Sequence, residues 1–252
     1  MLSGHIQLAS VHISCAARLT YMLGAHVLRP TQSSERCRDS YRAQNHLRRL
    51  FWLCYTFDKD ISLRTGQPPC FEDDYCDISL PENYDNLNES RWDADPASID
   101  DCEAAVLFVP GNLKLSLMKA KTGKLLYAAR SLQKSDAELL RDVRELDDEL
   151  ENWRTSLNKE LRPSLIQSGS SQAMLSDLTP PRRMHVIVNH FEYYYLMATI
   201  HRATSRCKAW ANVEDGNMDG VGSSLELTVQ ASRSTLFYLR TAVHSLLGEC
   251  FW

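Results

Sequence analysis

The sequence predicts an all-α protein, in which several helices pack like a bundle and one long acidic, irregular connection joins them. Three features indicate this fold class. Apolar residues recur at helical spacing along most of the chain, capping patterns precede two of these stretches, and no strand-like alternation is long enough to mark a sheet. The 252 residues are 44% apolar and 24% charged, as in ordinary globular proteins. This composition excludes a disordered chain and allows one large core or two modest domains.

Helical spacing predicts the first two helices, over about 6–28 and 36–64, with Pro30 between them. The second is apolar around most of its circumference, which is typical of a core helix. It should end at Gly66, which can take a left-handed conformation, and the prolines at 68 and 69 prevent its continuation. The arginines of this segment favour a solvated face over a phosphate-binding stripe: Arg36, Arg38, Arg42, Arg48 and Arg49.

The connection that follows is strongly acidic. Residues 71–103 contain twelve acidic side chains and a single arginine, together with prolines and asparagines that favour irregular structure. We predict an irregular loop over about 67–101, pinned by Leu80-Pro81 and Trp92. A solvated excursion is favoured over an acidic docking surface.

Helical spacing resumes near Cys102, is interrupted at Pro110-Gly111 and continues to Ala129. Ser135 and Glu138 then form a capping-box pattern. The helix behind it has an apolar seam with steps of four and three residues, from Leu139 through Val143, Leu146, Leu150 and Trp153 to Leu157. The seam favours a bundle helix over a dimer zipper.

Two further helices close the chain. Linkers are predicted over about 158–181 and 211–223, since both are rich in glycine, serine or proline. Pro180-Pro181 opens a helix that extends past His201, and a second capping-box pattern, Ser223 to Glu226, is predicted to start the final helix.

Charge and cysteine content exclude several classes of protein. The net charge of −4 does not mark a nucleic-acid binder, because phosphate recognition needs a clustered basic face. The eight cysteines follow no signal-peptide pattern and are expected to be reduced. Cys70 and Cys76 are spaced too widely for an ordinary zinc pair, so no metal site is predicted. No apolar run is long enough to span a membrane.

Motifs for enzyme chemistry are weak. The chain has no glycine-rich phosphate loop, paired-histidine metalloprotease helix or nucleophile elbow, so we predict no catalytic residues and no enzyme. One alternative is an all-α enzyme that binds magnesium and diphosphate through Asp73, Asp74 and Asp77. His190 and His201 share a helix face that permits a metal, but satisfied, partly buried histidines are favoured.

The segment from Arg48 to Pro69, followed by Asp73-Asp74 and Asp77 to Pro81, resembles the fungal-specific transcription factor domain. This domain is also called the xylanolytic activator regulatory domain or middle homology region. The signature residues, all taken as structural, are Arg49, Phe51, Trp52, Asp58, Ser62, Gly66, Pro68, Pro69, Leu80 and Pro81. The resemblance is strong over about 45–81 and loose elsewhere. It implies one all-helical regulatory domain over 1–252 that does not itself contact DNA.

Physical reasons can be proposed for parts of this signature. Phe51 and Trp52 would each contribute about 2–3 kcal/mol by burial. Asp58 stands among apolar residues and would need a cationic or amide partner. We hypothesise a pairing with Arg49, Arg64 or Arg202.

The resemblance also sets expectations for the whole protein. The family acts in the nucleus on RNA polymerase II transcription, and its DNA contact and its zinc belong to an N-terminal cysteine cluster that this sequence lacks. Gln67 stands where the family commonly has arginine. We therefore expect a domain incomplete at both ends, with no cofactor of its own. Its expected partners are co-regulators or a second copy, and a DNA-free dimerisation module that titrates full-length relatives is a further alternative.

Overall fold

The computed structural model describes residues 5–28, 37–81, 84, 111–165, 178–208 and 219–246. Within these ranges the chain forms six α-helices and no strand, which confirms the all-α class. The helices are α1 (Ile6–Met22), α2 (Cys37–Thr65), α3 (Leu113–Thr122), α4 (Asp136–Ser156), α5 (Pro180–Arg202) and α6 (Asp219–Leu246). None of these helices is both long and apolar enough to cross a bilayer.

The chain divides into two compact units, Met1–Leu117 and Met118–Trp252. The first contains α1 and α2, the second contains α4, α5 and α6, and the boundary falls within α3. One domain over 1–252 therefore stays a prediction, and each unit is described by itself.

In the first unit α1 packs against α2. The predicted first helix extends to Leu28, but α1 ends at Met22 because Gly24 takes a left-handed φ of 70°. α2 agrees with its prediction, and its aromatic residues Phe51, Trp52 and Tyr55 are buried. At its end Gly66 has a φ of 71° and its N–H donates to the carbonyl of Ser62 at 2.9 Å. Gly66 therefore ends α2 as predicted.

The acidic connection is irregular where the structure describes it. Residues 67–81 contain one short 3₁₀ turn, Asp73–Tyr75, and otherwise no regular structure. Tyr84 is buried, and its hydroxyl accepts a 2.8 Å hydrogen bond from the N–H of Leu113 at the start of α3. Trp92 and the rest of the predicted loop lie outside the described residues.

In the second unit α4 begins with the predicted capping box. The Ser135 hydroxyl accepts from the N–H of Glu138, and the Glu138 carboxylate accepts from the N–H of Ser135 at 2.9 Å. The seam residues from Leu139 to Trp153 are buried within the unit. This burial confirms a bundle helix, and it leaves no seam for the dimer zipper that was the alternative.

α5 and α6 pack along their lengths and complete the second unit. Two prolines occupy the first positions of α5, as predicted. The predicted start of α6 is wrong: the helix begins at Asp219, so Ser223 and Glu226 lie inside it. The glycines at 220 and 222 suggested a loop, but each costs a helix only about 1 kcal/mol, which packing can offset.

One buried ion pair and one histidine connect helices inside the second unit. The Lys119 ammonium, fully buried, lies 2.7 Å from a carboxylate oxygen of Glu192, and it links α3 to α5. The imidazole of His201 lies 3.2 Å from both the Asp147 carboxylate and the Ser224 hydroxyl, so α4, α5 and α6 meet at one side chain. These contacts link α3 to α5 and join α4, α5 and α6.

Candidate functional site

The family-like signature lies in the first unit, where aromatic side chains of α2 form a cluster with the following loop. Phe51, Trp52, Tyr55 and Phe71 are all buried. The ring of Phe71 lies 5.5 Å from Phe51, nearly edge-on, and Tyr21 of α1 approaches Phe71 at 5.2 Å. Edge-to-face contacts at these distances stabilise aromatic pairs beyond simple burial. The loop is therefore anchored in the core by Phe71.

Asp58 holds the main chain of the loop to α2. Its side chain is 1% exposed. One carboxylate oxygen accepts from the N–H of Cys70 at 2.8 Å and the other from the N–H of Phe71 at 3.1 Å. Charge-assisted hydrogen bonds of this kind are stronger than neutral ones. Asp58 therefore provides hydrogen-bond acceptors for the N–H groups of Cys70 and Phe71, which lie close to the core because the Phe71 ring is buried there.

Lys59, the next residue of α2, holds the other side of the same loop. It is 3% exposed, and its ammonium donates to the carbonyl of Phe71 and lies 3.1 Å from the Asp73 carboxylate. The same ammonium lies over the ring of Tyr55, at 4.7 Å from the centroid, and the Tyr55 hydroxyl donates to Asp73 at 2.9 Å. We call Tyr55, Asp58, Lys59, Phe71 and Asp73 the loop clamp.

The clamp contains opposite charges at short range. The Lys59 ammonium lies 3.9 Å from the Asp58 carboxylate, so the two adjacent side chains form a buried ion pair. Burial raises the pKa of Asp58, while the two peptide N–H donors and Lys59 act against that rise. Burial, with Asp73 beside it, also raises the pKa of Tyr55 well above its ordinary value. Tyr55 therefore stays protonated and acts as a hydrogen-bond donor.

Arg48 fastens the far end of the loop. Its guanidinium lies 4.7 Å from the centroid of Phe51 and 5.1 Å from that of Trp52. It donates to the carbonyl of Ser79 at 3.1 Å and lies 3.6 Å from the Asp77 carboxylate. Hydrogen bonds from Ser79, followed by the charge of Arg48, hold the pKa of Asp77 below its usual range. Arg48 therefore holds the loop to α2. The sequence analysis placed it on a solvated basic face, and that prediction is wrong for this residue.

α1 contacts the outer side of the loop through hydroxyl groups. Tyr21 accepts from the N–H of Glu72 at 3.3 Å, and its hydroxyl lies 3.5 Å from the sulfur of Cys76. The hydroxyl of Ser14 lies 3.3 Å from the sulfur of Cys70. Cys70 and Cys76 therefore contact different residues of α1.

The structure separates the predicted signature residues into two groups. Phe51, Trp52 and Asp58 lie in or beside the clamp, and Gly66 caps α2. The remaining members lie at half-buried or exposed positions around it: Arg49, Ser62, Pro68, Pro69, Leu80 and Pro81. The residues of the first group are therefore the ones that form the core and end α2 in this region.

The hypothesis that an arginine pairs with Asp58 is wrong. The carboxylate contacts peptide N–H groups and Lys59, and Arg64 instead lies 2.8 Å from Asp60, one helical turn away. An amide partner was the stated alternative to a cationic one, and the main chain supplies it. The reason is the direction of the chain after Gly66, which turns residues 70 and 71 back towards α2.

Lys59 and Tyr55 were not singled out from the sequence, and Arg48 was predicted only as part of a solvated face. A lysine beside an aspartate in an apolar helix is the one signal that could have indicated a buried pair. The contact of Tyr55 with Asp73 joins residues eighteen positions apart through an irregular segment. No periodicity argument predicts such a contact.

The three aspartates that were considered as magnesium ligands do not converge on a common site. Asp73 accepts from Tyr55 and pairs with Lys59, whereas Asp77 accepts from the N–H of Ser79 at 2.9 Å. Asp74 lies exposed on the 3₁₀ turn between them. No group of three metal-ligating side chains comes together in the described ranges. This geometry does not support the magnesium alternative.

The two histidines considered as metal ligands, His190 and His201, also contact different partners. The Nε2 of His190 lies 2.9 Å from the carbonyl of Leu161, and its ring lies 4.7 Å from that of Tyr238. Burial lowers the pKa of His190 to about 4. His190 is therefore neutral at physiological pH and, unlike His201, lies among aromatic rings.

Comparisons with known proteins identify the family. The model of the "Fungal specific transcription factor domain" matches residues 1–155, which include the clamp, α3 and nearly all of α4. An "ABC-transporter-regulating transcription factor" of Aspergillus fumigatus is 29% identical over 208 residues, which cover 79% of this chain and 20% of the relative. Its namesake in Aspergillus oryzae is 27% identical over 258 residues, covering 95% of this chain and 26% of the relative.

A "Terrein cluster-specific transcription factor" of Aspergillus terreus is 31% identical over 153 residues, covering 61% of this chain and 20% of the relative. No solved structure gives a significant match. The chain thus spans about a fifth to a quarter of the length of these curated relatives. Because the family model covers more than half of the sequence and includes the loop clamp, the chain belongs to the fungal-specific transcription factor domain family.

Proposed function

We propose that this chain is the regulatory part of a nuclear transcription factor that controls RNA polymerase II transcription and performs no chemistry itself. The observation that carries the proposal is the family match over residues 1–155. The relatives named above are transcription factors or regulators. DNA contact, and the zinc that serves it in the family, would belong to an N-terminal cysteine cluster outside this sequence.

The geometry of the clamp supports a structural reading of the signature. Asp58, Lys59 and Asp73 contact one another or the loop main chain, and Tyr55 contacts Asp73. Their polar atoms are used to hold the loop on α2. The signature then maintains a folded surface, and regulation depends on what that surface binds.

A reporter assay tests the regulatory role. Residues 1–252 are fused between a heterologous DNA-binding domain and an activation domain, and the reporter output is compared with that of a fusion containing an unrelated helical protein of the same size. We expect the chain to change the output in either direction. Output equal to that of the control fusion, with equal protein levels, would contradict the regulatory role.

Two further measurements test the remaining parts of the proposal. A fluorescent fusion of the full-length gene product should accumulate in the nucleus. Residues 1–252 alone should select no sequence from a random DNA library, whereas the full-length product should do so. Selection of a sequence by residues 1–252 would show that the chain contacts DNA itself.

A further inference from the structure

α1 carries a regular row of exposed side chains along its outer face. Alternating steps of four and three residues separate the members of this row: Leu8, His12, Cys15, Leu19 and Met22. The exposed fractions are 54% for Leu8, 58% for Leu19 and 76% for Met22. We call this row the α1 seam. Alternating steps of four and three are the spacing with which two helices pack along a common axis.

The opposite face of α1 is already used within the first unit. Ala17 is buried, the Ser10 hydroxyl donates to the side chain of Gln67 at 2.8 Å, and the ring of Tyr21 lies against Phe71. The helical repeat places these α1 residues on the side of the helix opposite to the α1 seam. α1 is therefore held by one face, and the α1 seam points away from the packed interior of the unit.

Two metal-binding side chains lie at the centre of the α1 seam. His12 and Cys15 are three residues apart, so their side chains are neighbours on one face of the helix. Ligands at this spacing hold metal ions in helix-bundle proteins. Both side chains are exposed, and among the described residues neither has a hydrogen-bond partner. Imidazole and thiolate are the ligands that Zn²⁺ prefers, so His12 and Cys15 form one half of a zinc site.

A second copy of the chain supplies the other half. A structural zinc site needs four ligands in a tetrahedron, and no third ligand joins His12 and Cys15 in the described ranges of one chain. His5 lies two helical turns before His12, which is too far away to share the ion. Two copies related by a two-fold axis contribute the same pair of residues twice, which gives two histidines and two cysteines.

The charges of α1 are compatible with a second copy in either orientation. Zn²⁺ binding releases the two thiol protons, so the ion and two thiolates have no net charge and can lie among apolar side chains. Arg18, beside the α1 seam, is the one arginine of the helix, which contains no lysine or acidic residue. In an antiparallel pair Arg18 would face Val11 of the second copy, and in a parallel pair it would face Leu23. No like charges meet in either arrangement.

We propose that two copies of this chain pair along the α1 seam and bind one Zn²⁺ through His12 and Cys15 of each copy. Leu8, Leu19 and Met22 supply the apolar contacts on both sides of the ion. The proposal goes beyond the proposed function, because neither the family match nor the names of the relatives assign a metal or an interface to α1. It concerns a zinc ion other than the one expected in the N-terminal cysteine cluster.

Metal titrations of the reduced, metal-free 252-residue chain test the site. Co²⁺ takes the place of Zn²⁺ in tetrahedral sites, where thiolate ligands produce charge-transfer absorption and strong visible bands. We expect these bands to appear, to saturate at one ion per two chains and to disappear when Zn²⁺ displaces Co²⁺. Light scattering should show a monomer that becomes a dimer when Zn²⁺ is added and returns to a monomer when a chelator removes it.

Variants of the chain locate the site. Cys15→Ser and His12→Gln should each abolish the cobalt bands and the zinc-dependent dimer, because each removes two of the four ligands. Cys70→Ser and His46→Gln are the matched controls and should behave as the unmodified chain, since Cys70 lies in the loop and His46 is an exposed histidine of α2. Leu19→Glu keeps all ligands but should weaken the zinc-dependent dimer about tenfold or more. Circular dichroism checks that each variant keeps its helices.

Three results would overturn the proposal. The first is the absence of thiolate–cobalt bands, or binding of one ion per chain by a monomer. The second is a full zinc-dependent dimer formed by a folded Cys15→Ser or His12→Gln chain, or loss of that dimer in Cys70→Ser or His46→Gln, because other side chains would then bind the ion. The third is a dimer of the unmodified chain that a chelator leaves intact, because the pairing would then not depend on zinc.

Discussion

Replacing Asp58 by alanine is the sharpest test of the loop clamp. The substitution removes both acceptors of the Cys70 and Phe71 N–H groups, and Phe71 keeps its N–H inside the core. A buried donor that loses its partner costs about 1–3 kcal/mol, and removing one charge of a buried pair costs about 3–5 kcal/mol. Because both costs come from the loss of the same Asp58 carboxylate and are not additive, we expect the free energy of unfolding to fall by about 3–5 kcal/mol.

Asp60→Ala is the matched control. Asp60 lies two residues further along α2 and pairs with Arg64 at 2.8 Å near the surface. Exposed pairs one helical turn apart contribute about 0.5 kcal/mol. Asp58→Asn should fall between the two variants, because its amide keeps one acceptor and directs an NH₂ group at the other peptide N–H.

Urea unfolding measures the total loss of stability, and hydrogen exchange detected by mass spectrometry reports the local effect. In Asp58→Ala, amide exchange should accelerate at Cys70 and Phe71, the two positions whose N–H groups lose their acceptor. The reasoning would be refuted if the stability loss equalled that of Asp60→Ala and exchange at both positions were unchanged.

Three further predictions concern other parts of the chain. Gly66→Ala should lower the free energy of unfolding by about 1–2 kcal/mol through strain alone, since a Cβ there would meet no atom within 4 Å, and Gly66→Asn should cost less. Lys119→Met should cost about 3–5 kcal/mol because it leaves Glu192 without its buried cation, and Lys119→Met/Glu192→Leu should recover most of that loss in the same urea assay. His190 should make the second unit less stable in acid, because its pKa falls from 6.5 in the unfolded chain to about 4 in the folded one. As the pH falls from 6.5 to 4 the unfolded chain binds a proton that the folded chain does not, so the free energy of unfolding decreases over this range. The loss should reach about 3 kcal/mol, and His190→Gln should show a flatter profile; equal profiles would contradict the assignment.

Helix locations followed from local sequence signals wherever those signals were unambiguous. The hydroxyl of Ser135 and the carboxylate of Glu138 can reach only the amides of their own first turn, so the pattern and the structure agree. The same pattern at Ser223 and Glu226 predicted the wrong start, since the same spacing of a serine and a glutamate can also occur inside a helix, where it forms no cap. Similarly, helical spacing alone could not show that α1 would end before Gly24.

The clamp could be predicted only in part. The spacing of Phe51, Trp52 and Asp58 marked α2 as a core helix, and burial of an aspartate required a partner. The identity of the partner depended on where the chain goes after Gly66, which involves a contact between α2 and an irregular segment. For the same reason the structure, and not the sequence, revealed Lys59 as the second half of the clamp.

Asp58 and Lys59 bind peptide groups of the loop, and this has a consequence for its tolerance of mutation. Side-chain replacements at Cys70, other than proline, should cost less than a change in loop length, because the main-chain N–H of Cys70 would still donate to Asp58. A single-residue insertion or deletion between Gly66 and Cys70 should not be accepted, because it would present the wrong peptide group to each clamp residue. The segment should therefore tolerate changes in composition better than changes in length.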